Sequence, residues 1–221
     1  MIKSFDNYIN QYNSYDFVII GAGSSIKKYE NKIKNFIRDK KTIGINNITH
    51  LFIPDFHVWT NNQRLNEYGG CISQNSILIL GDGIRKEMID KHKIESFVLL
   101  EYDDSEGIPI DIRNGKIYGY FRTAGCLSIM IAHCLGAKNI YIVGMDGYTL
   151  YPKDDLKNMK KDHHCYGKGY TDDASWEKCL IKDEKVYSCL KSIHNYGVNF
   201  SILTPTIFND FFNPNIFEIS I

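Results

Sequence analysis

The chain has 221 residues, of which 43% are hydrophobic and 24% are charged, so it can bury the core of one sizeable globular domain. Lysine plus arginine and aspartate plus glutamate both number 26, and the formal net charge is therefore zero. This balance argues against a nucleic-acid-binding protein, which normally carries a basic surplus, but it leaves room for a local basic pocket that binds a phosphorylated small molecule.

Strand-like and helix-like segments alternate through the first hundred residues. Residues 16–21 are a β-branched run that ends in glycine, as expected of a buried parallel strand. The segment after it repeats apolar residues at helical spacing, with lysine and glutamate between them. Further strands are predicted at residues 42–46, 56–60, 76–81 and 97–102, with a short helix after the third of these.

Residues 108–121 interrupt this alternation. Apolar and polar residues alternate on both sides of Asn114-Gly115, which is the strongest short signal for a β-hairpin. We expect this hairpin to form an antiparallel flap or to add to an edge of the sheet.

A buried helix is predicted at residues 123–137, because this segment is apolar nearly all round. Thr123 is the expected N-cap, and Gly136 lies near the expected end of the helix. His133 falls within the segment and is expected to be a buried core residue. A further strand is predicted at residues 139–144.

A polar tract at residues 151–173 predicts a long exposed loop, and loops of this length often act as lids or binding loops. After it, Asp173 is the predicted N-cap of a helix that is closed by Gly197 and that has an apolar stripe including Leu180. The final strand is predicted at residues 199–205.

The order of these elements predicts an α/β fold with a single Rossmann-like, doubly wound, mostly parallel sheet, an inserted β-hairpin and a lid loop. No repeat or linker divides the chain, so we expect one domain over residues 1–221. We also expect a cytoplasmic protein, because no run approaches the roughly 20 apolar residues of a membrane span and the N-terminus lacks a secretory signal. The six cysteines lack C-x-x-C spacing, which favours buried free thiols.

Ligands in open α/β sheets bind at the carboxyl ends of the strands. After the first strand, the small residues from Gly21 to Ser25 would let a ligand approach the backbone, and the amides of the next helix would favour a phosphate. Position 26 is isoleucine and the second strand ends in Asn46-Asn47, so an NAD site is not expected. A nucleotide-phosphate site is the favoured interpretation, and a plain tight turn is the alternative.

Small and polar residues also follow the other strands or precede the buried helix. Asp146 is the only acid among them, and a single acid makes an undersized metal site, so we expect neither a metal nor another cofactor. The set suits hydrogen bonding to a phosphorylated polar ligand. The candidate site residues are Gly21, Ala22, Gly23, Ser24, Asn46, Asn61, Arg122, Thr123, Ala124, Gly125, Asp146, Tyr148, Tyr151 and His164.

Two adjacent histidines, His163 and His164, lie in the polar tract. An unperturbed imidazole titrates near 6.5, so at neutral pH it is mostly a free base and can accept a proton. Consecutive side chains do not easily share one zinc ion, so a metal cluster with Cys165 is not expected. Ordinary exposed histidines are the alternative. His57, within a strand, is expected to be buried.

The order of motifs resembles the bacterial lipooligosaccharide sialyltransferases over roughly residues 16–208. IIGAGSSI resembles that family's first strand and G-N-G-P-S loop, and GINNI resembles the end of its second strand. RTAGCLSIMIAHCLGAKNIYIVGMDGY resembles its R-x-T-S-G helix and the strand that ends G-I-D-F-Y. HCYGKGYTDD resembles its H-Y-I-G-H-S-K-N-T-D loop, and ILTPTIF its final strand end. Similar motifs occur in the pterin diphosphokinase-like family.

The resemblance implies an inverting, metal-independent enzyme that moves a sugar from a CMP-activated donor to a glycan hydroxyl. His164, which alone fits the spacing H-x-x-G, would be the catalytic base. Tyr148 and Tyr151 would donate hydrogen bonds to the leaving phosphate. The implied donor-site residues are Gly21 and Gly23 against the nucleotide, Asn46 near its phosphate, Asn61 at the sugar, and Thr123 and Gly125 in the pocket wall.

The chain departs from the family at Ala22 and Ala124, where the family has asparagine and serine, and Arg122 lies one position closer to the threonine. These changes leave the donor sugar open. The implied partners are an activated sugar and a glycan acceptor, together with a membrane surface if the acceptor is a glycolipid, and further copies of the chain. Two alternatives stay open: a diphosphokinase with ATP and magnesium at Asp146 acting on a pterin-like hydroxymethyl group, and a non-catalytic nucleotide-binding module.

Overall fold

The computed structural model describes residues 1–151, 163–167 and 175–217. Its helices are α1 (Ser25–Phe36), α2 (Asn62–Tyr68), α3 (Lys86–Lys91), α4 (Ala124–Leu135) and α5 (Trp176–Asn195). Short 3₁₀ helices occur at Phe5–Tyr8, Gly69–Cys71, Asn209–Phe211 and Pro214–Phe217. The strands are β1 (Ile2–Ser4), β2 (Phe17–Ile20), β3 (Lys41–Ile45), β4 (Phe56–Trp59), β5 (Ile77–Gly81), β6 (Phe97–Leu100), β7 (Tyr102–Asp104), β8 (Asp111–Arg113), β9 (Lys116–Gly119), β10 (Ile140–Val143) and β11 (Phe200–Ile202).

The main sheet has eight strands in the order β1-β6-β5-β4-β3-β2-β10-β11, and all of its neighbours pair in parallel. From β2 to β6 the chain winds outward in one direction, and then β10 returns to the other side of β2. The direction of winding therefore reverses between β2 and β10. This confirms the predicted doubly wound parallel sheet.

The edge strand β1 was not predicted. It pairs with β6 through only three residues, and all three are exposed. A short exposed strand has no buried face, so it leaves no alternation of apolar and polar residues in the sequence. The pairing is made by the backbone alone.

The predicted hairpin is confirmed, and it belongs to a separate small sheet with the order β7-β9-β8. β8 and β9 are antiparallel, and β7 pairs with β9 in parallel. Asn114 and Gly115 both have positive φ angles, of 50° and 73°, as a two-residue hairpin turn requires. The hairpin therefore does not extend the main sheet, contrary to one of the two expectations.

The helix α4 is buried along most of its length, as predicted. The Thr123 hydroxyl caps it by accepting a hydrogen bond from the Cys126 amide at 3.2 Å, and Gly136 ends it with a φ of 91°. The prediction for His133 was wrong, since this side chain is exposed. His133 is exposed between buried neighbours on the helix, and its ring contacts the ring of Tyr196.

The helix α5 begins at Trp176 with Ser175 as its N-cap, so the prediction of Asp173 as the cap was wrong. Asp173 itself lies outside the described residues. Leu180 was wrongly placed on the buried stripe, because it is 44% exposed. Leu190 and Ile193 are buried, as the apolar spacing predicts, and they share the buried face with Val186 and with three polar or sulfur-containing side chains that an apolar pattern overlooks: Cys179, Asp183 and Cys189.

Five of the six cysteines are buried free thiols, as expected, and Cys71 is exposed.

None of the helices in the described part of the chain combines the length and apolarity needed to cross a bilayer. Most of the predicted lid, residues 152–162 and 168–173, lies outside the described residues.

The burial of α4 generates a prediction about stability. Ile129 is fully buried, so Ile129→Ala should lower the free energy of unfolding by about 2–5 kcal/mol, because it removes apolar contacts and leaves a cavity. His133→Ala on the same helix should change it by less than about 0.5 kcal/mol. Denaturant unfolding of both variants measures the difference, and equal losses would contradict the assigned face of α4.

Candidate active site

A cavity of about 150 Å³ lies at the carboxyl ends of β2 and β10, where the winding of the sheet reverses. This is where open α/β sheets bind ligands. Most of the predicted site residues line it, together with residues that were not predicted. The predicted residues in its wall are Gly21, Ala22, Gly23, Asn46, Thr123, Ala124, Gly125, Asp146, Tyr148 and His164.

The loops after β2 and β10 contact each other backbone to backbone. The Gly21 amide donates to the Val143 carbonyl at 2.8 Å, and the Gly23 amide donates to the Gly144 carbonyl at 2.9 Å. A Cβ on Gly21 would lie 2.5 Å from the Gly144 oxygen, and one on Gly144 would lie 2.5 Å from the Gly21 oxygen. These glycines therefore serve the packing of one loop on the other, a role that the sequence did not reveal.

The Asp146 carboxylate lies at the N-terminus of α1. It accepts hydrogen bonds from the Ser25 amide at 2.8 Å and from the Ser25 hydroxyl at 2.5 Å. The side chain is 4% exposed, and burial raises its pKa to about 6, against the opposing effects of Ser25 and of nearby His163. A protein carboxylate thus occupies the position at which we expected a phosphate.

The loop after β10 is held by residues from two later elements. Asp183 of α5 accepts from the Tyr148 amide, the Thr149 amide and the Thr149 hydroxyl, at 2.8, 2.8 and 2.7 Å. The hydroxyl of Thr204, beyond β11, accepts from the Gly144 amide at 2.8 Å. Asp183 was not predicted, because an acid within a helix gives no local signal of contact with a distant loop. These bonds fix the position of Tyr148.

The described part of the polar tract, residues 163–167, packs against the loop after β2. The Cys165 amide donates to the Ala22 carbonyl at 2.8 Å, and His164 forms an antiparallel bridge with Gly23. This segment was predicted to be exposed, and that prediction was wrong: Cys165 is buried and His163 is only 7% exposed.

Both histidines line the cavity, but in different surroundings. The buried ring of His163 meets the Tyr148 ring edge to face, with 5.7 Å between the centroids. The His164 ring is half-buried and stacks on the Tyr166 ring, at 4.9 Å and 8° between the planes. His164 is therefore the more accessible of the two imidazoles.

Asn46 presents an enclosed polar atom to the cavity wall. Its side-chain oxygen has no hydrogen-bond partner among the described residues, and the backbone φ is 53°. The backbone carbonyl of Asn46 accepts a hydrogen bond from Nε2 of His57 at 2.6 Å. Burial lowers the pKa of His57 to about 4, so this imidazole is neutral at pH 7. His57 is buried, as predicted. An enclosed side-chain oxygen without a hydrogen bond costs free energy, and a ligand that donates a hydrogen bond to this oxygen of Asn46 would remove that cost.

Four of the predicted residues do not line the cavity. Asn61 is exposed, and its side-chain oxygen caps α2 by accepting from the Arg64 amide at 3.0 Å. The Ser24 hydroxyl donates to the Tyr151 hydroxyl at 3.0 Å, next to the cavity-lining Gly23. Arg122 is exposed and immediately precedes Thr123.

Within the described residues, no three histidine, cysteine, aspartate or glutamate side chains are arranged to hold a metal ion.

Comparison of this chain with known proteins finds solved structures of similar fold but does not assign the chain to a family. No protein-family model and no curated protein sequence matches the chain. The structure of the MAf glycosyltransferase from Magnetospirillum magneticum AMB-1 matches with a TM-score of 0.53 and 15% identity over 92% of this chain. This chain spans only 36% of that glycosyltransferase.

A second solved structure, a mammalian sialyltransferase in complex with Gal-beta-1-3GalNAc-ortho-nitrophenol, matches with a TM-score of 0.45 and 11% identity, over 86% of this chain and 70% of that one. At these identities the similarity concerns the fold alone.

The environment of Asp146 predicts a dependence of stability on pH. A carboxyl whose pKa is raised from 3.8 to about 6 binds its proton more tightly in the folded state, so it favours folding at low pH. This contribution is lost as the pH rises from about 4 through about 6. The unfolding free energy of the wild type relative to Asp146→Asn should therefore fall by about 2–3 kcal/mol between pH 4 and pH 7.

Urea unfolding at several pH values measures this difference. The control is Asp90→Asn, which removes an exposed carboxylate and should change the unfolding free energy by less than about 0.5 kcal/mol at neutral pH. A difference between wild type and Asp146→Asn that stays constant from pH 4 to pH 7 would contradict the assigned environment.

Proposed function

We propose that the protein is a glycosyltransferase that moves a sugar from a CMP-activated donor to a glycan hydroxyl, with His164 as the general base. The observation that carries the proposal is the position of His164 and Tyr148 in the wall of one cavity at the reversal point of the sheet. The similarity of fold to a glycosyltransferase supports it.

In the proposed reaction, the His164 imidazole accepts the proton of the acceptor hydroxyl. The acceptor oxygen then forms a bond to the anomeric carbon while the bond from that carbon to the phosphate oxygen breaks, with inversion and release of CMP. A half-buried imidazole suits this task, because it is enclosed by the site and still reaches the substrate.

The leaving phosphate gains negative charge, and the Tyr148 phenol in the cavity wall is suited to stabilise it, whereas Tyr151 lies outside the wall and is bonded to Ser24. Burial raises the pKa of both Tyr148 and Tyr151, so both hydroxyls stay protonated at neutral pH and can donate hydrogen bonds. One preorganised donor of this kind is commonly worth about 2.7–4 kcal/mol in a transition state. The cavity of about 150 Å³ is small beside the roughly 300–1,000 Å³ of many ligand sites, so it would enclose part of the donor only.

The diphosphokinase alternative places magnesium at Asp146. Both oxygens of that carboxylate are bonded to Ser25, and the side chain is buried beneath the loop that carries Gly23. Asp146 is thus engaged in holding α1 to the loop after β10, which disfavours it as a magnesium ligand and favours the sugar transferase.

A panel of nucleotides tests the ligand class. We expect CMP to stabilise the protein without magnesium, and a concentration of 100 times the dissociation constant would add about 2.7 kcal/mol, or roughly 5–11 °C in Tm. CDP, UDP, GDP and ATP, with and without magnesium, serve as comparisons in a thermal-shift assay. Stabilisation by ATP with magnesium alone, abolished by EDTA, would favour the diphosphokinase instead.

Substitution of the histidines tests the base. His164→Ala should lower kcat at least about a hundredfold while CMP still binds, because the general base is lost and the nucleotide contacts remain. His50→Ala removes an exposed histidine and should leave kcat unchanged. A large loss with His163→Gln but not with His164→Ala would transfer the role to His163, and unchanged function in both would favour a non-catalytic module.

A further inference from the structure

Three cationic side chains from separate elements gather around Tyr148, which lines the cavity. The Nζ atom of Lys182, on α5, lies 5.0 Å from the centroid of the Tyr148 ring. Arg122 immediately precedes Thr123, which lines the cavity and caps α4. Arg64 lies on α2, and its charge acts on both Tyr148 and Lys182. The chain as a whole has no net charge, so this is a local concentration of positive charge.

The three cations lie close enough to affect one another. Burial lowers the pKa of Lys182, and the charges of Arg122 and Arg64 lower it further. Burial raises the pKa of Tyr148, as does the charge of Asp183, and the same two arginines oppose that effect. Like charges held together in this way disfavour their own ionised forms, and an added anion would relieve that repulsion.

One carboxylate, that of Asp183, lies beside this cluster and lines the cavity. Neither Arg122 nor Lys182 forms an ion pair with an acid in residues 1–151, 163–167 and 175–217. Asp183 is adjacent in sequence to Lys182, but its oxygens are bonded to Tyr148 and Thr149. Arg122 also has a left-handed backbone with a φ of 59°, which is costly for such a residue and which structures tend to retain at functional positions.

The other candidate for anion binding, the N-terminus of α1, is already used by the protein. The Ser25 amide donates to Asp146, the Ser24 amide to the His163 carbonyl, and the Gly23 amide to the Gly144 carbonyl. The negative charge of Asp146 would also repel a phosphate there. By contrast, the amides of Ala124 and Gly125 face no acceptor among the described residues, and both residues line the cavity beside Arg122.

We propose that Arg122 and Lys182, with Arg64, form a phosphate-binding site at the edge of the cavity, next to the Tyr148 hydroxyl. Guanidinium and ammonium groups bind phosphate through charge-assisted hydrogen bonds, and an arginine can do so through two bonds at once. The identity of the ligand as a CMP ester rests on the proposed function, whereas the anion site does not. In the proposed reaction these cations stabilise the leaving phosphate, a task that a divalent cation performs in other enzymes.

Binding of CMP and of the uncharged nucleoside cytidine to single variants tests this site. Arg122→Gln and Lys182→Gln should each weaken CMP binding about 10- to 100-fold in isothermal titration calorimetry, the effect of losing one charged hydrogen bond, and leave cytidine binding unchanged. The matched control is Lys191→Gln, which removes an exposed lysine that lies over a tyrosine ring on the same helix, 4.5 Å from the centroid of Tyr187. It should bind CMP as the wild type does.

The outcomes separate this inference from the proposed function. CMP binding that persists at full strength in both variants overturns the phosphate site and leaves the CMP donor intact. Inorganic phosphate or ATP binding that is lost in both variants, in a protein that binds no CMP, supports the site and rejects the donor.

Two further outcomes also bear on the site. Weaker binding of N-acetylneuraminate with unchanged CMP binding would assign the cluster to a carboxylate and overturn the phosphate assignment. A wild type that binds neither phosphate nor any nucleotide rejects both proposals. Without ligand, the Tm of each variant should differ from that of the wild type by no more than about 2 °C, since neither side chain is fully buried, and this readout excludes simple unfolding.

Discussion

The candidate site depends on the direct backbone contact between the loops that follow β2 and β10. Gly21 and Gly144 meet at a separation that leaves no room for a side chain on either residue. Asp146 then spans the same junction and bonds to Ser25 at the start of α1. The two halves of the sheet are thereby joined at the point where its winding reverses, and the cavity is the space that remains beside the junction.

The same junction also positions the two histidines. His164 is bridged to Gly23, and Cys165 bonds to the carbonyl of Ala22, so the segment from 163 to 167 lies against the loop after β2. Tyr148 is fixed independently, through Asp183 of α5. The imidazoles and the phenol therefore approach one cavity from different parts of the chain, and they are held there by different contacts.

Much of the fold could be predicted from the sequence, because buried strands and hairpins leave periodic patterns. The run before Gly21 and the turn at Asn114-Gly115 are examples. The site was only partly predictable, because a polar residue after a strand can face a ligand or serve the protein itself. Asn61 caps a helix, and the α1 amides bind Asp146. Residues on helices, such as Asp183 and Lys182, meet the site only in three dimensions and leave no signal in the local sequence.

Charge is distributed unevenly around the cavity, and this bears on the proposed reaction. The buried carboxylate of Asp146 lies at the start of α1, while the cations extend from α2, α5 and the turn before α4. In the proposed site, a phosphate is attracted to the cations and repelled by Asp146, which favours the position next to Tyr148. Inversion requires the base and the leaving group on opposite faces of the anomeric carbon. In the proposed reaction His164, which is attached to the loop after β2 rather than to the cationic elements, would meet that requirement with the sugar between it and the phosphate.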